Sequence, residues 1–324
     1  MSSLSLADVF RARQRLAGRV AHTLLVESPS LSSVAGAPVY LKLETAQPTG
    51  SFKVRGATNA LTEIAQSGVR RVVTASTGNH GRALAYAARA LGVEAAVCMS
   101  SLVPRNKVDA VAALGARIVI AGRSQDDAQV QALRMAQEEG YAFVAPFDDL
   151  RVIAGQATIG LEILEALPDA ATLVVPLSGG GLFSGTAFAA KGIRPDLRAI
   201  GVSMARGAAM HASLAAGMPI AVEEVQTLAD SLGGGIGLEN RYTFAMTHDL
   251  ADEIVLVDEP SIARGIVHAY RQERLIAEGA AAVGIAALLE HRIAARHGPI
   301  VIVVSGANID MDAHRRIVTE NADA

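Results

Sequence analysis

The chain of 324 residues contains one cysteine, Cys98, and no tryptophan. A single cysteine cannot form a disulfide within the chain and is not half of a CxxC metal pair, so a reducing cytoplasm is expected. The 29 basic and 32 acidic residues give a net charge of −3, which disfavours a nucleic-acid partner or a polybasic membrane patch. No segment reaches the ~20 apolar residues that a membrane-spanning helix needs. These features predict a cytoplasmic protein with no nucleic-acid and no membrane partner.

Aromatic residues are also scarce, at 4%, although hydrophobic residues make up 51%. The apolar content is therefore mainly Ala, Val, Leu and Ile, which suits helices packed on a parallel sheet. Short β-branched runs alternate with helical patterns, and this alternation predicts a doubly wound α/β architecture in two lobes, with boundaries near 68 and 148. The predicted strands are 39–44, 71–76, 94–100, 116–122, 141–146, 172–178, 198–204, 253–259 and 299–305.

Lys53 lies at the start of a predicted helix. The spacing of apolar residues from Val54 to Ile64 forms one helical face, and Ser51 is available as the N-cap. A cation in the first turn is disfavoured by the helix dipole. Lys53 is therefore either a solvated surface lysine, which is the commoner case, or a functional amine of lowered pKa.

A polar loop, Ser76, Thr77, Gly78, Asn79 and His80, follows one predicted strand and precedes a helix. Two hydroxyl groups, an amide and backbone N–H groups at a helix N-terminus can hold a carboxylate. The same residue types are also expected in an ordinary N-cap turn. Both interpretations are open from the residues alone.

A second loop consists of Ser178, Gly179, Gly180, Gly181 and Leu182. Three consecutive glycines allow the backbone to approach a ligand closely, and the helix that follows favours a phosphate. A tight strand-to-helix turn rarely needs three glycines, so the pattern favours a phosphate site. The loop is not a P-loop, because no Gly-Lys-Ser/Thr follows it.

Other cofactor and metal chemistries have weaker support. The glycine loop nearly matches the dinucleotide motif GxGxxG, but Ser184 replaces the third glycine and no acidic residue follows ~20 positions later, which disfavours NAD. The histidines show no metal-ligand spacing, and there is no GxSxG nucleophile motif. Ser305, after the last strong strand, offers one more hydroxyl group.

Six motifs, taken together, resemble the second fold type of pyridoxal-phosphate enzymes, closest to the threonine dehydratase and serine racemase family. They occur in that family's order: PTGSFKVRGA, STGNHG, VIAGQATIGLE, SGGGL, ADSLGGGIGL and SGAN. The resemblance implies two doubly wound α/β lobes with pyridoxal 5'-phosphate between them. The large cofactor-binding domain would comprise 1–68 and 149–324, and the small domain 69–148. A homodimer is implied by the same resemblance.

The resemblance also implies roles for individual residues. Lys53 matches the Schiff-base lysine, which also acts as the acid and base, and Ser178 to Leu182 match the phosphate site. Asn79 matches the amide that bonds the cofactor's ring hydroxyl. Ser305 faces the pyridine nitrogen, where a neutral hydroxyl suits rapid loss of a β-leaving group. The loop from Ser76 to His80 would bind the substrate carboxylate.

Three positions depart from the family pattern. Ser178 stands where the phosphate loop usually opens with glycine, and its N–H can still bind an anion. Ser203 replaces the carboxylate that cation-binding members carry, so no metal is predicted. Thr77 occupies the position of the serine base in racemases, where many dehydratases carry alanine.

The sequence therefore predicts a pyridoxal-phosphate-dependent dehydratase, or ammonia-lyase, that converts a β-hydroxy amino acid to a 2-oxo acid. Residues 201–217 and 229–244 most resemble hydroxyectoine-utilisation dehydratases, so the substrate is threonine, serine or a hydroxyectoine-derived relative. The segment 233–240 is expected to line the pocket, where its glycines suggest room for a larger substrate. The alternatives are an amino-acid racemase and a non-catalytic ligand-binding or regulatory protein, against which Lys53 and the glycine loop argue.

Overall fold

A computed structural model describes residues 4–76, 78–103, 105–295 and 298–321 of the chain. The contacts divide the chain into two compact units. Unit 1 comprises Met1–Ala21 and Lys53–Gln156, and unit 2 comprises His22–Phe52 and Ala157–Ala324. The domain limits inferred from the sequence, 1–68 with 149–324 and 69–148, are different and stay a prediction.

Helices and strands alternate along the described residues. In chain order they are α1 (Leu6–Leu16), β1 (Leu25–Glu27), α2 (Pro29–Ala35), β2 (Val39–Leu43), α3 (Lys53–Gln66), β3 (Arg71–Ala75), α4 (Asn79–Leu91), β4 (Glu94–Met99), α5 (Arg105–Ala112), β5 (Arg117–Ile120), α6 (Gln125–Glu138), β6 (Ala142–Phe143), α7 (Leu150–Ala166), β7 (Thr172–Pro176), α8 (Gly181–Ile193), β8 (Arg198–Met204), α9 (Ala209–Ala216), α10 (Thr243–Leu250), β9 (Glu253–Val257), α11 (Glu259–Arg271), α12 (Gly279–Leu289), β10 (Ile300–Val304) and α13 (Met311–Glu320). Short 3-10 helices lie at Glu44–Ala46 and Asp230–Leu232. None of the described helices is long and apolar enough to cross a membrane.

Unit 1 is built on a four-stranded parallel sheet with the order β5-β4-β3-β6. One core cluster contains the predicted apolar face of α3, including Val54, Leu61 and Ile64, together with buried residues of α4. A second cluster joins strand residues such as Val73 to buried residues of α6 such as Met135. The sheet is therefore covered by helices, as a doubly wound fold requires.

Unit 2 is built on a six-stranded sheet with the order β1-β2-β10-β7-β8-β9. Strand β1 pairs antiparallel with β2, and the other neighbouring strands are parallel. Buried residues of α11 and α12 form one core cluster with the sheet, and those of α7 and α8 form another. This architecture confirms the predicted α/β fold class.

The nine predicted strands are all present; eight are shorter than predicted, and β8 has the predicted bounds 198–204. Three-residue β1 was not predicted, because so short an edge strand carries little periodicity. The expectation that Ser51 caps α3 is wrong. The Ser51 backbone pairs with Gly306, and its buried Oγ has no hydrogen-bond partner among the described residues. The tertiary pairing therefore overrides the local capping preference.

The single cysteine provides a test of the unit 1 core. Cys98 is fully buried, and burial raises the pKa of its thiol to about 11. Because the thiolate is the reactive form, we expect an aromatic disulfide reagent to leave the native protein unlabelled and to label one thiol per chain in denaturant. A Ser67→Cys variant, which adds a cysteine at an exposed position, is the positive control. Equally fast labelling of native and denatured wild-type protein would contradict the packing described.

Candidate active site

The loops that follow β7 and β10 lie at the same edge of the unit 2 sheet. The two strands are parallel neighbours, with Ile302 opposite Val174, so their carboxyl ends point the same way. Continued by a few residues, this register brings Ser178 and Ser305 to that edge. Ligands in open α/β sheets bind at the carboxyl ends of strands. Two of the predicted cofactor-binding segments therefore lie where such a ligand is expected.

The glycine turn after β7 leaves no room for a side chain at Gly180. Its φ is +89°, and an added Cβ would lie 2.9 Å from Met210 Cε, 2.9 Å from Thr243 Cβ and 3.0 Å from Thr247 Oγ1. The turn leads into α8, which has neither a side-chain cap nor an acidic residue in its first turn in the described structure. Backbone N–H groups at such a helix start need an acceptor and favour an anion. The turn fits a phosphate group.

Two residues at the start of α8 have their side chains in the unit 2 core. The Leu182 side chain is buried in a core cluster, so its backbone amide is the group that could bind a ligand. Ser184 Oγ lies 3.1 Å from Thr247 Oγ1 and donates to the Thr243 carbonyl at 3.4 Å. Ser184, which replaces the third glycine of the dinucleotide motif, therefore forms hydrogen bonds inside the core.

The segment before Lys53 is paired with the loop that carries Ser305. The Phe52 amide donates to the Ser305 carbonyl at 3.0 Å, and the Ala307 amide donates to the Gly50 carbonyl at 2.9 Å. Lys53 is the next residue after Phe52. The residue before the lysine is therefore hydrogen-bonded to the loop after β10.

Glu278 is a buried acid beside the Ser305 loop, and it was not among the residues predicted from the sequence. Its Oε2 accepts a hydrogen bond from the Asn308 amide at 3.1 Å, and its own amide donates to the Gly306 carbonyl at 3.1 Å. An added Cβ on Gly306 would lie 2.7 Å from Glu278 Oε1. Glu278 therefore holds the SGAN loop in shape. No local pattern marks this residue.

Lys53 is the first residue of α3 and is half-buried. Its Nζ donates a hydrogen bond to the Pro146 carbonyl at 2.8 Å. Pro146 follows β6, which pairs with β3 in the unit 1 sheet. The amine consequently lies near the carboxyl end of that sheet, which disfavours the interpretation of Lys53 as a solvated surface residue. Pro146 was another residue that the sequence did not indicate.

In the polar loop after β3 the structure shows the capping role, and carboxylate binding stays a prediction. Ser76 Oγ accepts hydrogen bonds from the Gly81 amide at 3.1 Å and the Gly78 amide at 3.4 Å, so its hydroxyl caps the start of α4. Asn79 is the first residue of α4 and is largely buried. Thr77 lies outside the described residues. The first turn of α4 still presents backbone donors suited to a carboxylate.

The His80 side chain points into the interior of unit 1. Its Nε2 lies 3.3 Å from the Val144 carbonyl, and its buried Nδ1 has no hydrogen-bond partner among the described residues. Because a carbonyl only accepts, Nε2 carries the proton. Burial, and next the charge of Lys53, lower the pKa of His80 to about 3. The imidazole is therefore neutral, and its backbone amide is the group that could bind a substrate.

Metal binding has no structural support in the described part of the chain. No group of three or more His, Cys, Asp or Glu side chains gathers there as possible ligands. Ser203 stands where cation-binding members of the family carry a carboxylate. It is buried, and its Oγ donates to Met204 Sδ at 3.4 Å.

The lowered pKa of His80 predicts a pH-dependent stability. Between pH ~6.5 and pH ~3 the unfolded chain binds a proton that the folded chain does not, so stability falls as the pH falls through this window. One such group contributes a slope of up to ~1.4 kcal/mol per pH unit. We expect His80→Gln to reduce this slope in urea unfolding measured from pH 7 to 4.5.

His268 and His314 also have pKa values lowered chiefly by burial, so the slope should shrink without vanishing. The exposed residue His248 provides the control variant, His248→Gln. An unchanged slope in the His80 variant would show that this imidazole is not buried in its neutral form.

Comparison with known proteins places the chain in a family. Residues 16–306 match the family described as "Pyridoxal-phosphate dependent enzyme". The chain is 56% identical over 319 residues to a putative threonine dehydratase of Sinorhizobium fredii, covering 98% of this chain and 96% of that protein. It is 40% identical to the L-threonine ammonia-lyase of Thermotoga maritima, covering 98% and 79%.

A solved structure gives the same result for the fold. The maize serine racemase structure superposes with a TM-score of 0.91 at 31% sequence identity, covering 99% of each chain. The predicted family, cofactor and reaction class are thereby confirmed. The chain belongs to the pyridoxal-phosphate-dependent enzymes of the second fold type, and within them it is a lyase of the threonine dehydratase kind.

Proposed function

We propose that Lys53 carries pyridoxal 5'-phosphate in this enzyme, and that the enzyme converts a β-hydroxy amino acid to a 2-oxo acid and ammonia. The position of Lys53 is the observation that carries the proposal. Its backbone follows Phe52, which is hydrogen-bonded to Ser305, and its half-buried amine reaches the Pro146 carbonyl. A lysine held in this way is placed for covalent chemistry rather than for solvation.

The remaining cofactor contacts are proposed from the same geometry. Ser178 and the amides of Gly179, Gly180, Gly181 and Leu182 would hold the phosphate, because the start of α8 lacks an acceptor and excludes side chains at Gly180. Ser305 is buried directly after β10, which suits contact of its hydroxyl with the ring nitrogen. Asn79, largely buried at the start of α4, would donate to the ring hydroxyl.

When bound, the cofactor supplies an electron sink for the pair left at the substrate α-carbon. The protein residues then move protons and hold groups in place. The Lys53 amine donates one N–H to the Pro146 carbonyl, and its Nζ would accept the substrate's α-proton. The first turn of α4, with the amides of Asn79 and His80, would bind the substrate carboxylate. The β-hydroxyl would take up the proton that Lys53 Nζ accepted and leave as water, and hydrolysis of the released enamine then gives the 2-oxo acid and ammonia.

The proposed substrates are threonine, serine or a hydroxyectoine-derived amino acid. The relatives described as threonine dehydratase and threonine ammonia-lyase support the first, and the sequence resemblance over 201–217 and 229–244 supports the last. The glycines of the pocket segment do not add to this argument. Gly234 and Gly237 have φ values of +92° and +80°, so backbone conformation accounts for them without a need for extra room.

An amino-acid racemase is the second candidate, because the maize serine racemase has a similar fold. Thr77 would be the base on the second face of the substrate in that case. We propose a cytoplasmic homodimer for either activity.

Replacing the lysine tests the cofactor assignment. We expect Lys53→Ala and Lys53→Arg to lose turnover and the absorbance near ~420 nm that a lysine-bound cofactor gives, because neither side chain can form the covalent link. The arginine variant keeps the positive charge, so it distinguishes loss of the charge from loss of the covalent link. Thermal unfolding of both variants checks that they fold. Turnover and the absorbance band both retained in the alanine variant would end the proposal.

The substrate and the reaction are tested with a panel of single enantiomers. The panel contains L-threonine, L-serine and β-hydroxy amino acids with larger side chains, such as those derived from hydroxyectoine. We expect ammonia and a 2-oxo acid in equal amounts, because β-elimination releases both from one molecule. Inverted amino acid as the main product would instead identify a racemase. Turnover with the larger substrates in preference to threonine would support the hydroxyectoine assignment.

A further inference from the structure

We propose that Gln156 is a positioning residue for Lys53. Its side-chain oxygen anchors the first turn of α3 and thereby sets the direction in which the lysine side chain extends. The inference rests on the proposed role of Lys53, and Gln156 itself is not a catalytic residue.

The first turn of α3 is anchored by a residue far away in sequence. The Gly56 amide, three residues after Lys53, donates to Gln156 Oε1 at 3.3 Å. The nearby hydroxyl of Ser51 does not cap this helix, because it is buried without a partner among the described residues. Gln156 is 1% exposed, so water does not replace its oxygen as the acceptor.

Two glycines bring the backbones of α3 and α7 into contact at this point. An added Cβ on Gly155 would lie 2.6 Å from both the Arg55 carbonyl oxygen and Gly56 Cα. One on Gly56 would lie 2.4 Å from Gln156 Nε2 and 2.7 Å from Val152 Cγ1. The Gln156 side chain is thus confined against the turn that carries Lys53. The close packing holds Gln156 Oε1 in position to accept the hydrogen bond from the Gly56 amide.

A second polar link between the same helices lies farther from the lysine. Asn59 Nδ2 donates to the Arg151 carbonyl at 2.7 Å. Asn59 is fully buried and follows Lys53 by about one and a half helical turns. Loss of this link should weaken the helix pair without changing the first turn of α3. Asn59 therefore provides a matched control.

The position of the first turn matters because helix ends fray. A lysine on a displaced turn would present its amine at the wrong place, and misplacement by about 1 Å can reduce catalysis by roughly 100-fold. Gln156→Met keeps the length of the side chain and removes the acceptor. We expect it to lower kcat by at least about ten-fold and to change KM much less.

Hydrogen exchange of the cofactor-free chain tests the structural step alone. We expect the amides of residues 53–56 to exchange faster in Gln156→Met than in wild type or Asn59→Leu. Gln156→Glu should restore slow exchange and most of kcat, because its carboxylate can accept from the same N–H. In the cofactor-loaded enzyme, the pH midpoint of the absorbance near ~420 nm should move in Gln156→Met and stay unchanged in Asn59→Leu.

Two results would overturn the inference. One is equal exchange at residues 53–56 in the Gln156→Met and Asn59→Leu variants. The other is an equal loss of kcat in both variants with no change in the absorbance midpoint, which would indicate a general loss of stability. Failure of the proposed function is recognised separately, because Lys53→Ala would then keep turnover whatever the Gln156 variants do.

Discussion

The pairing of the segment before Lys53 with the loop after β10 fixes the backbone around Ser305 in unit 2. Two backbone hydrogen bonds, which together form the antiparallel bridge of Ser51 with Gly306, hold these segments together. Asn308 adds a side-chain bond to the Thr49 carbonyl at 2.8 Å. Glycine is required at Gly50, where φ is +71° and an added Cβ would lie 2.8 Å from Asn308 Oδ1. Lys53 follows this pairing directly in the chain.

The chemistry collects at strand ends for a general physical reason. Parallel strands present their carboxyl ends at one edge, and the helices that follow present backbone N–H groups there. In unit 2 this edge holds Ser178 and Ser305, and in unit 1 it holds Ser76 and Pro146. The proposed cofactor is anionic at its phosphate, and the proposed substrate is anionic at its carboxylate. Backbone N–H groups at helix N-termini favour both anionic groups, so the proposed binding does not depend on side chains alone.

The sequence predicted local structure well and long-range contacts poorly. The helix from Lys53 to Gln66 and the strand pattern follow from periodicity, which is a property of neighbouring residues. The cap assigned to Ser51 was wrong because a tertiary pairing competes for that segment. Pro146 and Gln156 lie 93 and 100 residues from the atoms they bind. No spacing rule connects such pairs, and a backbone carbonyl has no side-chain signature.

The glycine turn shows where a motif is informative and where it is not. Three glycines predicted a close backbone approach, and Gly180 indeed excludes any side chain. The residues that enforce this, Met210, Thr243 and Thr247, come from later helices and carried no signal. Thr243 and Thr247 also form the hydrogen bonds of the buried Ser184 hydroxyl. A glycine pattern thus predicts that other atoms lie close to the backbone, but it does not identify the residues to which those atoms belong.

Two buried polar atoms near the lysine have no hydrogen-bond partner among the described residues. Ser51 Oγ lies two residues before Lys53, and His80 Nδ1 belongs to an imidazole kept neutral partly by the lysine charge. Buried groups of this kind usually find partners, because leaving one unpaired costs about 1–3 kcal/mol. Functional sites tolerate such costs where the surrounding structure fixes the geometry. A neutral His80 also spares Lys53 a second positive charge nearby, so the cationic character of this region belongs to the amine that the proposed reaction uses.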